Sequence, residues 1–294
     1  MMPAMDSMAL ILIVFSALMH ALWNLLVKQS KDKTIFIWWM FVCSWSMMNV
    51  FMATAGYGWP ELSPRSLLLA CAAAVCFVLY HWFTGRAYRE GDLSMTYPLA
   101  QTSMLYVPLW GVLLLGERLT LFGVAGILLI VAGAYCIQLR GLSAAEVLRP
   151  FSQLGNRSVQ AALLAGFVYS IGAILDKTGV DDYSAYQFTY VLVFFMLCIM
   201  TLNLLRPNYR GRILEEWRQS RKLVLWSGPV MLASFLSFRF GLQLAPVSYA
   251  VPLRQVSLLV GVLIGIFFLG ESYGRMRLTS TGLILIGVAF IWHG

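Results

Sequence analysis

The sequence predicts an all-α integral membrane protein with ten transmembrane helices, arranged as two inverted five-helix repeats. Of its 294 residues, 60% are hydrophobic and only 12% are charged, whereas soluble domains carry about 25% charged residues. The apolar segments are long and do not alternate with polar residues, which favours helices over a β-barrel. Residues 94–133 recur without a gap at 248–287, with 14 of 40 positions identical. The chain is therefore an internal duplication.

Glycines, prolines and charged residues divide the chain into ten apolar spans. They cover residues 8–27, 35–56, 66–87, 94–115, 119–139, 158–177, 184–205, 222–243, 248–269 and 277–293. The first span lacks a basic preceding region and a small-residue cleavage site, so we expect it to be retained. Five spans per half is an odd number, so the second half should enter the membrane from the opposite side. We expect repeats at 1–139 and 158–294, joined by a cytoplasmic linker at 140–157.

Basic residues are distributed unevenly between the two sides of the predicted bundle. Sixteen of the 21 Lys and Arg residues fall at the loops after spans 1, 3, 5, 7 and 9, and three fall on the other side. The positive-inside rule then places those five loops in the cytoplasm and both termini outside it, in a multi-pass protein of the cell inner membrane. Orientation and contact with membrane lipids account for the net charge of +8, so we expect no nucleic-acid partner.

Two of these basic loops have patterns of their own. Residues 143–146 read Ser-Ala-Ala-Glu, a capping-box pattern that predicts a short helix on the cytoplasmic interface. Residues 206–222 contain six basic residues with Trp217 among them, and we interpret this segment as an orientation signal that also touches anionic headgroups.

No catalytic motif is present in the sequence. There is no P-loop, dinucleotide-binding turn, metalloprotease helix or nucleophile elbow. The three histidines stand apart, and the five cysteines lie in apolar runs without metal-ligand spacing. We therefore expect no enzyme activity, no cofactor and no metal.

The strongest functional signal is Arg254, which lies within the ninth span. On insertion scales, an arginine at the centre of a membrane helix costs about 2.5–3.5 kcal/mol, so such a residue usually faces the bundle interior. The alternative is that Arg254 snorkels to the surface or pairs internally. Its neighbour Gln255 corresponds to Gln101 in the first half, and in an inverted repeat the two amides could meet near the midplane. Pro98 and Pro252 precede the glutamines by three residues. Each either occupies the first helical turn or interrupts the helix, and in both cases exposed backbone dipoles would favour an anionic group; a role in packing alone is the alternative.

Two further clusters complete the predicted binding site. His20, Trp23 and Asn24 share one face of the first helix. Anchoring at the interface would explain Trp23 alone, but His20 and Asn24 need hydrogen-bond partners, which favours a cavity. In the third span Tyr80 and His81 are the candidates for an aromatic wall, because consecutive residues point in different directions and the next aromatic residue cannot also face inward.

Three further features involve charged residues. Asp176 and Lys177 form either a boundary pair or, for Asp176, a proton-coupling site. Arg239 lies close enough to the end of its span to snorkel. Glu117 and Glu271 each follow the glycine that ends a span, so we expect them to complement the dipole of the next helix.

Glycines recur in the fifth, ninth and tenth spans. They are Gly123, Gly126, Gly133, Gly261, Gly265, Gly282 and Gly287. Because small residues let helix backbones approach closely in membranes, we expect these positions to mark helix contacts.

The repeated segment, from Pro98-Leu-Ala-Gln through Gly116-Glu117 to Gly133 and its second copy, resembles the EamA domain of the drug/metabolite transporter superfamily. The stretch from His20 to Asn24 is also similar to a branch associated with phosphonate utilisation. The resemblance implies a ten-helix carrier with alternating access, often an exporter of amino acids or other metabolites, driven by a proton gradient or by exchange. In the related sugar-phosphate translocators, basic residues of a late helix hold the phosphate, and Arg254 loosely matches them.

These observations lead to one main hypothesis, in which Arg254, Gln255 and Gln101 hold a small anionic or zwitterionic molecule while the two halves rock around it. The alternatives are a membrane-embedded enzyme or lipid-handling protein, which would need carboxylates or histidines clustered at one interface, and a scaffold or receptor without a cavity.

Overall fold

The structure is a computed structural model that describes residues 5–55, 59, 62–91, 93–137, 139, 143–209, 211–260, 262 and 275–294. Every regular element among these residues is a helix. The α-helices are α1 (Ser7–Gln29), α2 (Lys33–Ala55), α3 (Pro64–Glu90), α4 (Leu93–Ala100), α5 (Ser103–Leu115), α6 (Leu121–Cys136), α7 (Ala144–Ser152), α8 (Arg157–Asp182), α9 (Ala185–Leu204), α10 (Arg212–Leu244), α11 (Val247–Leu253), α12 (described over 256–260) and α13 (Arg275–His293).

Seven of these helices are long and apolar enough to cross a membrane, namely α1, α2, α3, α8, α9, α10 and α13. Shorter apolar helices lie at Ser103–Leu115, Leu121–Cys136 and Val247–Val260. The protein is thus an all-helical, multi-pass membrane protein. The helix α7 confirms the short helix predicted between the halves.

Two predicted spans are each broken at the same place in the repeat. The break between α4 and α5 falls at Gln101 and Thr102, and the break between α11 and α12 falls at Arg254 and Gln255. A proline is the sixth residue of both α4 and α11. Since proline has no N–H and its ring clashes with the preceding turn, it weakens the helix just before each break. The predicted interruption is confirmed in both copies.

Helix packing follows the duplication. The helix α1 packs mainly on α10, and α3 packs mainly on α8. Because α1 corresponds to α8 and α3 to α10 in the duplication, the two contacts are equivalent. The helices α6 and α13 pack on each other through glycines: a Cβ added at Gly126 would lie 2.6 Å from the carbonyl oxygen of Gly287, and one at Gly133 would lie 2.7 Å from that of Ser280. These two contacts are also exchanged by the offset of 154 residues.

The predicted role of glycine in close helix contact is confirmed at these positions and wrong at Gly282, where a Cβ would meet no atom within 4 Å. Gly261 and Gly265 lie outside the described residues.

The helix α10 begins ten residues earlier than the predicted span, at Arg212. Residues 212–222 are mostly strong helix formers and contain no glycine or proline, so nothing in them ends the helix. This extension is tied to the loop between α1 and α2. Arg212 pairs with Asp32 at 2.5 Å, and a Glu216 carboxylate oxygen accepts the backbone N–H of Asp32 at 2.9 Å.

Candidate functional site

A cavity of about 820 Å³ lies between the two copies, lined by residues of α1, α2, α3, α8, α10 and the broken helices. The predicted site residues that line it are His20, Trp23, Asn24, Tyr80, His81, Gln101, Asp176, Arg254 and Gln255. All nine were proposed from the sequence, and the fold brings them to one cavity.

As far as the described residues define it, the cavity reaches one side of the helix bundle. On that side it is lined by residues at helix ends, including Lys28 of α1, Tyr88 of α3 and Arg277 of α13. Toward the other side the lining stops at Asp176 and Arg239, which lie six and five residues before the ends of α8 and α10. At 1.5 Å per residue, about 9 Å of helix separates Asp176 from that end. The cavity is therefore open toward the basic loops and closed on the opposite side.

Arg254 lies at the helix break and is half-buried. Its guanidinium stands over the ring of Phe238, 4.4 Å from the ring centroid, and Nη2 is 3.3 Å from Nδ1 of His20. Because a guanidinium can only donate, Nδ1 of His20 must accept this bond and carry no proton. The Nε atom of Arg254 is buried and has no hydrogen-bond partner in the described part of the chain. Within the described residues Arg254 forms no ion pair, so its charge is directed at an aromatic ring and an imidazole.

Gln101 and Gln255 meet as predicted, with Nε2 of Gln255 3.3 Å from Oε1 of Gln101. The two residues are equivalent in the duplication, so exchange of the copies maps this contact onto itself. At the second break, two of the backbone groups that could have been exposed are paired. The N–H of Gln255 bonds to the carbonyl of Pro252, and that of Ser257 bonds to the carbonyl of Arg254. The side chains of Gln101 and Gln255 also supply polar groups to this part of the cavity.

The cluster on α1 faces inward. Trp23 is only 7% exposed, so interfacial anchoring does not explain it. Its ring meets that of His20 edge to face, with centroids 4.9 Å apart, and its Nε1 is buried without a partner among the described residues. Asn24, which also lines the cavity, donates through its amide nitrogen to the backbone carbonyl of His20 at 2.9 Å.

The wall contributed by α3 contains both predicted residues. The Tyr80 ring packs on that of Tyr169, with centroids 5.0 Å apart, and His81 packs against Tyr80 at the same separation. Trp82 is 54% exposed and is not among the residues that line the cavity. The prediction that the third aromatic residue would point away is confirmed.

Asp176 and Arg239 form a buried ion pair at the closed end of the cavity. Nε of Arg239 is 2.8 Å from Oδ1 of Asp176, and the two side chains are 4% and 3% exposed. The prediction that Arg239 snorkels is wrong, because its face of α10 is turned toward α8 rather than toward lipid. Lys177 is not the partner of Asp176 either: it bonds to Asp181 at 2.8 Å and to the carbonyl of Leu242 at 2.8 Å.

Comparison with known protein families agrees with this architecture. The model of the EamA-like transporter family matches residues 7–139 and again residues 156–293. The chain belongs to the EamA-like transporter family. Among solved structures, one described only as "Crystal structure of protein" superimposes with a TM-score of 0.73 at 17% identity, covering 96% of this chain and 97% of the other. It shows the same fold. No curated protein matches the sequence.

The glutamate of the EamA repeat connects the two copies. Oε1 of Glu117 accepts the N–H of Val247 at 2.6 Å and Oε2 accepts that of Ser248 at 3.0 Å, while the Ser248 hydroxyl also donates to this carboxylate. Glu117 therefore caps α11 of the other copy, and the prediction that it serves the next helix, α6, is wrong. Thr120 already caps α6 by accepting the N–H of Gly123 at 2.9 Å, which leaves the glutamate free for α11. Glu271 lies outside the described residues.

Sequence reasoning missed several residues of this EamA-like cavity. Besides Arg239, the wall includes Phe238 beneath Arg254 and the tyrosines Tyr88, Tyr97 and Tyr169. Aromatic residues in apolar spans look the same whether they face lipid, core or cavity, so their sequence positions carry no signal for a cavity. Arg239 did carry one, since a second cation inside a span is itself expensive.

Proposed function

We propose that this EamA-like protein is a secondary transporter that moves a small anionic or zwitterionic metabolite, such as an amino acid or an organophosphonate, across the inner membrane. The observation that supports it best is Arg254, a permanent cation without an ion-pair partner among the described residues, in a cavity between two copies of the transporter unit. A cation held in low dielectric attracts an anionic group strongly. The amides of Gln101 and Gln255 lie beside it and supply hydrogen bonds that fix orientation.

The closed end of the cavity supports alternating access. There α8 is fastened to α10 by the Asp176–Arg239 pair, by the bond from Lys177 to Leu242, and by Nε2 of Gln243, which donates to the carbonyl of Val180 at 2.7 Å. The described parts of the symmetry-related helices, α1 and α3, are not a major contact on the open side. We infer that the copies are inverted. If α1 and α3 formed the contact that α8 and α10 form here, and α8 and α10 separated, the open side would close and the closed side would open.

The open side carries the basic loops, so the positive-inside rule makes this conformation inward-open, with both termini outside the cytoplasm. The membrane potential then acts on any charged solute that leaves the cavity toward the outside. It changes the free energy of that movement by about 2.3 kcal/mol per elementary charge for each 100 mV.

Asp176 is the proposed proton-coupling group. It is the sole acidic side chain among the described residues that line the cavity, and its partner Arg239 holds the closed end together. Protonation of Asp176 would release Arg239 and loosen that end, which would link a proton to the change of access. The alternative of a membrane-embedded enzyme or lipid-handling protein is favoured by no observation of the cavity.

Transport in liposomes tests the proposal. The purified protein is reconstituted with and without a pH gradient, and uptake is screened across labelled amino acids and phosphonates. Arg254→Ala should abolish transport of the solutes that the native protein carries while still inserting into the membrane. Arg65→Ala is the control, because Arg65 is 67% exposed and lies at a helix start away from the cavity. Full activity of the Arg254→Ala protein would remove the central assignment.

A further inference from the structure

We infer that the transported molecule is an organic oxyanion without an ammonium group, with an apolar or aromatic body. This inference rests on the proposed function and narrows its substrate class. The proposed transporter could carry a zwitterion or an anion; three observations on the cavity wall separate the two.

The first observation is a pair of donors that lack acceptors. Nε1 of Trp23 and Nε of Arg254 are buried without hydrogen-bond partners among the described residues, and both side chains line the cavity. They flank the same imidazole: the His20 ring is 4.9 Å from the Trp23 ring, and its Nδ1 is 3.3 Å from Nη2 of Arg254. Indole and guanidinium groups donate and never accept. A buried polar group without a partner is costly, so a ligand whose acceptor oxygens reach these N–H groups, as the wall adjusts around it, would remove that cost.

The second observation is the charge of the wall. Leaving aside Arg277, the charged side chains among the described lining residues are Lys28, Asp176, Arg239 and Arg254. Three are cations and one is a carboxylate, and that carboxylate already bonds to Arg239 at 2.8 Å. The described lining therefore has no carboxylate left to neutralise an ammonium group. A cleft with an excess of one sign of charge and low-dielectric walls concentrates ions of the opposite sign. The excess among the described lining residues is positive, which favours anions.

The third observation is the apolar surface next to the donors. The Arg254 guanidinium rests on Phe238, and the facing wall is built from the Tyr80 and Tyr169 rings, which pack 5.0 Å apart. Phe77 in turn packs on Tyr169, with centroids 5.7 Å apart. Such a wall stacks favourably on a flat or apolar ligand body and offers little to a small, fully hydrated ion.

Matched ligand pairs test the inference. The full-length protein in detergent micelles is titrated with 3-phenylpropionate and with phenylalanine, and separately with methylphosphonate and aminomethylphosphonate. Thermal stabilisation reports binding. The members of each pair share the oxyanion and differ in the ammonium group. We expect the amine-free member of each pair to reach half-saturation at a concentration at least about tenfold lower. The phenylpropionate arm tests carboxylates and the phosphonate arm tests phosphorus oxyanions.

Two tryptophan variants separate a ligand contact from a packing effect. Trp23→Phe removes the indole donor and keeps an aromatic ring, and it should weaken binding of the amine-free acids about tenfold, the size of one hydrogen bond to a charged group. Trp45→Phe is the matched control. Among the residues that the structure describes, Nε1 of Trp45 is also buried without a partner, but Trp45 does not line the cavity and packs on Tyr190 and Phe194. Its substitution should leave binding unchanged.

Two results would overturn the inference. In the first, phenylalanine and aminomethylphosphonate bind as tightly as their amine-free partners, or Trp23→Phe and Trp45→Phe have equal effects. In the second, none of the four compounds stabilises the native protein. Neither result decides whether the protein transports a solute through Arg254, because the liposome assay with Arg254→Ala tests that separately and with a wider set of solutes.

Discussion

Asp176→Asn should destabilise the folded protein by about 3–5 kcal/mol, the cost of leaving one partner of a buried ion pair uncompensated. The structure places this pair toward the upper end of that range, because both side chains are at most 4% exposed and solvent therefore screens their 2.8 Å contact little. After the substitution, Arg239 would retain the carbonyl of Phe235 at 3.4 Å and the ring of the same residue at 5.1 Å. Neither supplies a negative charge.

The chain offers a control on the same helix. Asp182→Asn makes the same chemical change to a carboxylate that pairs with Arg65, but there the side chains are 67% and 32% exposed, and such pairs contribute about 0–1 kcal/mol. The assay is reversible unfolding in mixed micelles, followed by circular dichroism at one fixed pH. Adding Arg239→Gln to the Asp176→Asn protein should recover much of the loss, because it removes the unpaired cation. Equal losses for Asp176→Asn and Asp182→Asn would show that burial does not strengthen the inner pair.

Two other predictions concern packing and orientation. Gly126→Ala should cost about 1–3 kcal/mol in the same unfolding assay, because the new Cβ would lie 2.6 Å from the backbone oxygen of Gly287 and the helices would have to separate. Gly282→Ala, in open space on the partner helix, should cost nothing measurable, and a loss as large as that at Gly126 would contradict the packing argument. A reporter enzyme that works only outside the cytoplasm should be active when fused after Gly294, and activity of a cytoplasm-only reporter at that position would reverse the predicted orientation.

Much of this architecture is readable from the sequence because the membrane imposes simple constraints on it. Apolar length marks the helices, and the duplication marks the positions that the two copies share. The meeting of Gln101 and Gln255 is a direct consequence: an equivalent pair of polar residues inside two related spans has one natural place to satisfy its hydrogen bonds. The helix interruptions are also predictable, because each is caused by a proline in the same span.

Side-chain pairs between helices that are distant in sequence could not be predicted from the sequence. Arg239 and Asp176 lie 63 residues apart, and nothing in their spacing says that α8 and α10 turn these faces toward each other. The partner of Glu117 was misjudged for the same reason. The next helix, α6, is its neighbour in sequence and already has a side-chain cap. Glu117 instead caps α11, which has no side-chain cap of its own and begins 130 residues further on.

The difference between Arg254 and its counterpart Ala100 has a consequence for how such a site can arise. In a homodimer of single copies, every residue near the symmetry axis appears twice, so a guanidinium there would always face a second one. Joining the two copies in one gene allows a lone positive charge beside a symmetric amide pair. Under the proposed function, a bound anion would then have a single docking direction, and it would keep that direction whichever face of the membrane is open.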